Sequence, residues 1–182
     1  GFGKHPHNNM EIVSIPLAGA LEHKDSMGHL EVIKEGEVQI MSAGTGVMHS
    51  EYNHSKTEDV NFLQIWVLPK ERNIKPRYDK RNIKDADKKN KFLTVVSPDK
   101  DDALWINQDA YFSLAKIDAD TEIGYDMKLK GNGIYLFVIE GDVTIDGNEL
   151  RKRDGIGIED ADILKIKSIS DSYLLAIEVP TG

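Results

Sequence analysis

Two short stretches of this 182-residue chain carry residues suited to gripping a metal ion. The first is "GKHPHNNME", with His5 and His7 on either side of Pro6 and Glu11 four residues further on. The second is "GTGVMHSEYN", in which His49 and Glu51 are again two apart, just after a turn marked by Gly44 and Gly46. Successive side chains of an extended segment point to opposite faces, so residues 5, 7 and 11 should share one face and residues 49 and 51 another. A strand advances about 3.3 Å per residue, so two such neighbours span roughly 7 Å and can reach one ion. If the two strands lie side by side, three imidazoles and a carboxylate converge. Four protein ligands on an octahedral ion leave two positions open, which is what catalysis at a metal requires. Glu11 and Glu51 compete for the carboxylate role. The chain has no cysteine, so any metal must be held by His, Asp or Glu.

The elements that would position these residues are strands. "EIVSIPLAG", "HLEVIKEGEVQIMSAGTG" and "VNFLQIWVLP" are short, apolar and bounded by turn residues, and so are "AYFSLAKIDAD", "GIYLFVIEGDVTIDGNEL" and "YLLAIEVP" further on. Asp146-Gly147 is a strong two-residue hairpin signal. No segment sustains a helical period, so the expected class is all-β. Between the two sets lies "KERNIKPRYDKRNIKDADKKNK", with ten Lys/Arg against four Asp/Glu in a chain whose formal charge is −8. It reads as a solvated linker, with a docking surface for an acidic partner as the alternative. The expected organisation is a metal-binding unit over 1–72, a basic linker over 73–91 and a second unit over 92–182.

The halves repeat each other weakly. "IPLAGALEH" aligns with "FVIEGDVTI", setting Gly19 against Gly141, and "QIWVLP" aligns with "LAIEVP", setting Pro69 against Pro180. Two similar β units of this kind favour double-sheet jelly rolls, whose interiors suit a small-molecule site. The alignment sets Met127 and Leu129 opposite His5 and His7, and no histidine follows His54. The second unit is therefore expected to be structural, with Asp160 and Asp162 as solvated loop acids. The acidic net charge argues against broad nucleic-acid binding, and no apolar run reaches the length of a membrane-spanning helix.

"GFGKHPHNNMEIVS", "GALEHKDSMGH" and "GEVQIMSAGTGVMHSEYN", followed by "LQIWVLP", resemble the pirin family of the cupin superfamily, in particular its bacterial members with quercetin 2,3-dioxygenase activity. The likeness is dense from Gly1 to Pro69 and looser beyond. It implies a bicupin: two double-stranded β-helix (jelly-roll) barrels in one chain, the second degenerate. It implies one divalent metal ion in the first barrel, held by His5, His7, His49 and Glu51, with Glu11 behind them fixing an imidazole. Fe(II) is the metal the resemblance suggests, while the donor set also suits Zn, Cu, Ni, Co or Mn. Family members carry further residues ahead of the "GFG" segment, so the first barrel is expected to lack its first strands and to have an open edge.

The resemblance further implies a cytoplasmic dioxygenase that cleaves a flavonol such as quercetin with O2 and releases carbon monoxide, with Glu51 as ligand and general base. A non-enzymatic regulator acting through protein contacts is the alternative. Of the remaining candidates, His23 could line the pocket, but a surface or hydrogen-bonded structural place is expected of it. His29 and His54 carry no assigned role, and Trp66 is expected to pack within its strand.

Overall fold

The computed structural model describes residues 1–99 and 102–181. Apart from one 3-10 turn at Asp85–Lys88, its regular elements are strands. In chain order they are β1 (Phe2–His7), β2 (Glu11–Ala18), β3 (Ala20–Asp25), β4 (Leu30–Lys34), β5 (Glu37–Ser42), β6 (Val47–Asn53), β7 (Asn61–Val67), β8 (Arg77–Asn82) and β9 (Leu93–Ser97). There follow β10 (Leu104–Trp105), β11 (Tyr111–Ile117), β12 (Glu122–Asp126), β13 (Asn132–Glu140), β14 (Val143–Ile145), β15 (Asn148–Leu150), β16 (Gly155–Ile158), β17 (Ile163–Ser168) and β18 (Ser172–Pro180). The fold is an all-β bicupin.

Two compact units divide the chain: Gly1–Ile83 with the returning segment Leu104–Gln108, and Lys84–Ala103 with Asp109–Gly182. The segment 73–91, expected to be a solvated linker, is therefore split between them. Its strand β8 pairs with β5 from Arg77↔Ser42 to Glu37↔Asn82. Charge did not prevent this because an edge strand tolerates Lys and Arg. Arg77 donates to the Trp105 carbonyl at 2.6 Å, and Lys80 lies 3.1 Å from the Glu31 carboxylate.

In the first unit, sheet β1-β6-β3-β4 packs on sheet β7-β2-β5-β8. Ile12 and Met41 from one sheet meet Val47 from the other in a buried cluster. Strand β2 is buried on both faces, which accounts for its run of six buried residues. Ile12 and its parity mates face the opposing sheet, whereas Glu11 faces the returning segment and accepts the Asn107 N–H at 3.2 Å.

The second unit has the same plan. Sheet β12-β17-β14-β15 packs on a larger sheet in which β9, β11, β18, β13 and β16 lie side by side. Its interior is an apolar cluster that includes Tyr125, Ile145, Leu164 and Ile166. Strict alternation in "ILKIKS" of β17 puts each buried residue between two exposed ones, the signature of a half-buried strand. The expected hairpin is present: Ile145 pairs with Asn148 across Asp146 and Gly147, both at positive φ (47° and 81°), as a type I′ turn requires.

The internal repeat is real, but its register differs from the sequence alignment. Gly19 and Gly141 occupy equivalent corners at φ 72° and 82°, and a Cβ on either would overlap a carbonyl oxygen, of Asp59 or of Asp171. A bulge precedes each corner in the same place, between Pro16 and Ala18 and between Val138 and Glu140. Counting pairs from these corners sets Leu68, not Pro69, against Pro180, and sets His5 and His7 against Tyr125 and Met127 rather than Met127 and Leu129. Bulges absorb residues without changing the fold, so an alignment by sequence alone slips there.

Candidate metal centre

Strand β6 lies between β1 and β3, and cross-strand pairing sets the geometry of the site. His49 stands opposite His5 on one side and Asp25 on the other, and Glu51 stands opposite His23. Directly opposed residues point to the same face of a sheet. Period-two spacing on three adjacent strands therefore brings His5 and His7, His49 and Glu51, and His23 and Asp25 together as a polar grid inside the first unit. The turn before β6 is tight: Gly44 sits at φ 48° with the Ile74 carbonyl where a side chain would go.

The three imidazoles expected to act together do converge. His5, His7 and His49 each offer a nitrogen within 4.8 Å of the others, and the Nε2 atoms of His5 and His49 are 3.0 Å apart. His5 Nδ1 lies 2.7 Å from the Gly3 carbonyl, so its proton is held there and the Nε2 lone pair faces His49. His5 and His7 are half-buried, while His49 and Glu51 are each only 1% exposed. Burial, together with the neighbouring charges of His23, His5 and His7, pushes His49 down to about 3 against the opposing pull of Asp25. Burial and the charge of His5 also lower His7. Both effects keep these rings neutral near pH 7, the form that binds metal.

Glu51 groups with His49 and His23 within 4.8 Å rather than joining His5, His7 and His49 in one such set. Its Oε2 accepts the Gln64 amide at 2.6 Å, and Gln64 in turn accepts the Trp66 indole N–H at 3.3 Å. Its Oε1 is buried without a hydrogen-bond partner, as are His7 Nε2, His49 Nδ1 and His23 Nδ1. Buried polar atoms are almost always paired, and four orphans in one grid mark a place built for a cation or for substrate.

A pirin family model matches residues 1–67, and a quercetinase C-terminal cupin domain model matches residues 94–179. The chain is 40% identical over 181 residues to a quercetin 2,3-dioxygenase of Escherichia coli (strain K12), covering 99% of this chain and 77% of that protein. The chain belongs to the pirin family. It is 36% identical to a putative quercetin 2,3-dioxygenase of Pseudomonas aeruginosa, again with 77% of the relative covered. Among solved structures it is similar to YhhW from Escherichia coli, with a TM-score of 0.93, 39% identity and coverage of 99% of this chain and 76% of that one. A second structure of bacterial pirin YhhW, in complex with nickel(II), gives a TM-score of 0.91 over the same shares.

Two sequence expectations change in this pirin-family chain, and a third is narrowed. Glu11 does not share a face with His5 and His7, because Asn9 at φ 46° turns the chain from one sheet into the other and resets the alternation. Its carboxylate accepts Ser42 Oγ at 2.7 Å and the Asn107 N–H and touches no imidazole. Burial raises its pKa despite those bonds and the charge of Arg77. His23 is fully buried inside the grid and hydrogen-bonded to Asp25, so of its expected places the hydrogen-bonded one holds and the surface one does not. Trp66 is 56% exposed, with its ring edge-on to His7 at 5.1 Å between centroids.

Sequence reading passed over Asp25 altogether. It accepts from His23 Nε2 at 3.1 Å, from His29 Nδ1 at 2.8 Å and from the backbone N–H groups of Met27 and His29. Burial opposes ionisation, but the hydrogen bonds from both histidines outweigh it and hold the carboxyl below its usual range. The signal was present: "HKD" repeats the x-spaced pattern of "HPH" and "HSE" on a third strand. Among the described residues, the clusters of His and acidic side chains able to converge on an ion lie in the first unit. No helix there is long and apolar enough to cross a membrane.

Proposed function

We propose that His5, His7, His49 and Glu51 hold one divalent metal ion, Fe(II) or a metal of similar preference such as Ni(II), and that the chain is a dioxygenase acting on a flavonol such as quercetin. The observation carrying this reading is the convergence of three imidazoles beside a buried carboxylate with one free oxygen. Such a donor set of nitrogen and oxygen suits a first-row divalent metal with open positions. The likeness to proteins named quercetin 2,3-dioxygenase, and to a pirin crystallised with nickel(II), supports the same assignment.

When bound there, the ion would hold the adjacent hydroxyl and carbonyl oxygens of the flavonol and acidify that hydroxyl. The chain's own residues do the rest. Glu51 Oε1 accepts the hydroxyl proton, while Gln64 fixes the other oxygen and so the orientation of the carboxylate. Trp66, exposed beside His7, offers a flat apolar face to the substrate's rings. The electron-rich flavonolate then reacts with O2, its central ring opens, and one carbon leaves as carbon monoxide. The second unit, with an apolar interior, is structural, and the enzyme works in the cytoplasm.

Protein stripped of metal, reloaded with single metals and supplied with quercetin should consume it in air and not under nitrogen, with carbon monoxide in the headspace. Quercetin left intact by every metal tested in air would remove the dioxygenase reading.

A further inference from the structure

We propose that the centre has a second, inner seat for a divalent transition-metal ion, formed by His23, His49 and Glu51. This rests on the reading that the grid binds metal, and it adds a residue that the four-ligand set leaves unused. All three side chains are at most 1% exposed, and each offers a ligand atom within 4.8 Å of the other two.

The chemistry of His23 is that of a prepared ligand. Its Nε2 faces the Asp25 carboxylate at 3.1 Å, so the proton of the neutral ring sits on that side. Its Nδ1 is left with a lone pair, buried and without a partner. A carboxylate on the far nitrogen is the arrangement that orients a metal-binding histidine and raises its basicity. Asp25 is itself immobilised by His29 and two backbone N–H groups, and the Tyr78 ring stacks on His23 with centroids 4.9 Å apart. Glu51 Oε1 is unpartnered too. Two residues of one close trio thus each carry a buried acceptor without a donor, a need that a cation satisfies.

The two seats share His49 and, in the four-ligand set, Glu51 as well. A neutral imidazole has one free lone pair, so the seats are alternatives for a single ion rather than sites for two. The outer seat lies among the half-buried His5 and His7, and the inner one is fully enclosed.

The test is a titration of metal-free protein with Co(II), followed by calorimetry and by the visible absorption of the bound ion. Wild type should bind one ion per chain. The H5A/H7A variant, which removes the outer seat, should still bind one, more weakly and with an altered spectrum. Adding H23Q to that variant should abolish binding, whereas H23Q alone should keep one ion in the outer seat. Should H23Q fold poorly by circular dichroism, D25N in the H5A/H7A background keeps the ring and should weaken binding by about tenfold or more. No binding by a folded H5A/H7A, or equal binding with and without H23Q, would overturn the inner seat while leaving the outer one standing. No binding by wild type would overturn both.

Discussion

The two units of this chain share a strand plan and differ in what they place at the same positions. Counted from the equivalent corners at Gly19 and Gly141, His5, His7, His23, His49 and Glu51 of the first unit correspond to Tyr125, Met127, Ile145, Leu164 and Ile166 of the second. Gln64, which holds Glu51, corresponds to Ala176, and Trp66 corresponds to Glu178. Each of those five histidine and glutamate side chains is exchanged for one that joins or borders an apolar cluster. The one acid gained, Glu178, is fully buried but answered: it accepts from Tyr125, from the Lys128 and Leu129 backbone and from Asn132. In the grid, buried acceptors are left without donors. A fold that tolerates both interiors does not by itself specify metal binding.

The comparison can be broken by making one interior resemble the other. Replacing His49 with Leu, Glu51 with Ile and Gln64 with Ala gives the first unit the second unit's residues. Elemental analysis should then find no retained metal. Urea unfolding of the metal-free form should show it more stable than wild type by about 1–4 kcal/mol, because buried polar groups without partners give way to apolar contacts. A metal-binding triple variant would show that the grid is not the site.

A subtler change separates holding from chemistry. Glu51→Gln keeps an oxygen donor but removes the proton acceptor, so it should retain metal while quercetin turnover falls by about 10²–10⁴-fold. Full turnover at full metal occupancy would take Glu51 out of the mechanism.

The units should also differ in their response to acid. His49 has its pKa lowered from 6.5 to about 3 by burial and neighbouring positive charge. Its folded form binds fewer protons than its unfolded form between those values, so its contribution to stability is intact above pH 6.5 and is lost as pH falls towards 3. The metal-free protein should lose up to about 1.4 kcal/mol per pH unit in that window through this group. The same urea series on His49→Leu should lack that component, and an identical slope in both proteins would exclude it.

The smallest effect belongs to the second unit's surface acids. Asp160 and Asp162 are exposed, and changing both to Asn should leave metal content and turnover within error of wild type. A large loss of either would reveal chemistry in the apolar half.

Much of this was legible in the chain itself, and the failures share a cause. "HPH" and "HSE" announced their faces because each lies within one strand, where parity is reliable. Asp146-Gly147 announced its hairpin because positive φ at both positions suits few residue pairs. Glu11 was misjudged because the chain turns at Asn9, between it and His7, and passes into the other sheet. The repeat was found but slipped by one residue at Pro180 and by two at His5, since a bulge displaces the count without disturbing the apolar pattern. β8 was hidden by its charge, because Lys80 and Arg77 lay their stems along the unit and turn only their heads to partners. His23 was discounted as isolated, although its companions stood on neighbouring strands, which sequence order does not show.

Strand β1 is the outermost strand of its sheet, held by β6 alone, with Pro6 unable to donate to the ladder and an irregularity between Phe2 and His5. Such a strand opens locally at little cost, far below that of global unfolding. Two of the three converging imidazoles ride on it. An ion gripped by His5, His7 and His49 would rivet β1 to the sheet, so metal release and strand release become one event, and each lowers the barrier to the other. Amide hydrogens of β1 should therefore exchange rapidly in the stripped protein and slow markedly once metal is added, while those of the central strand β2 change little.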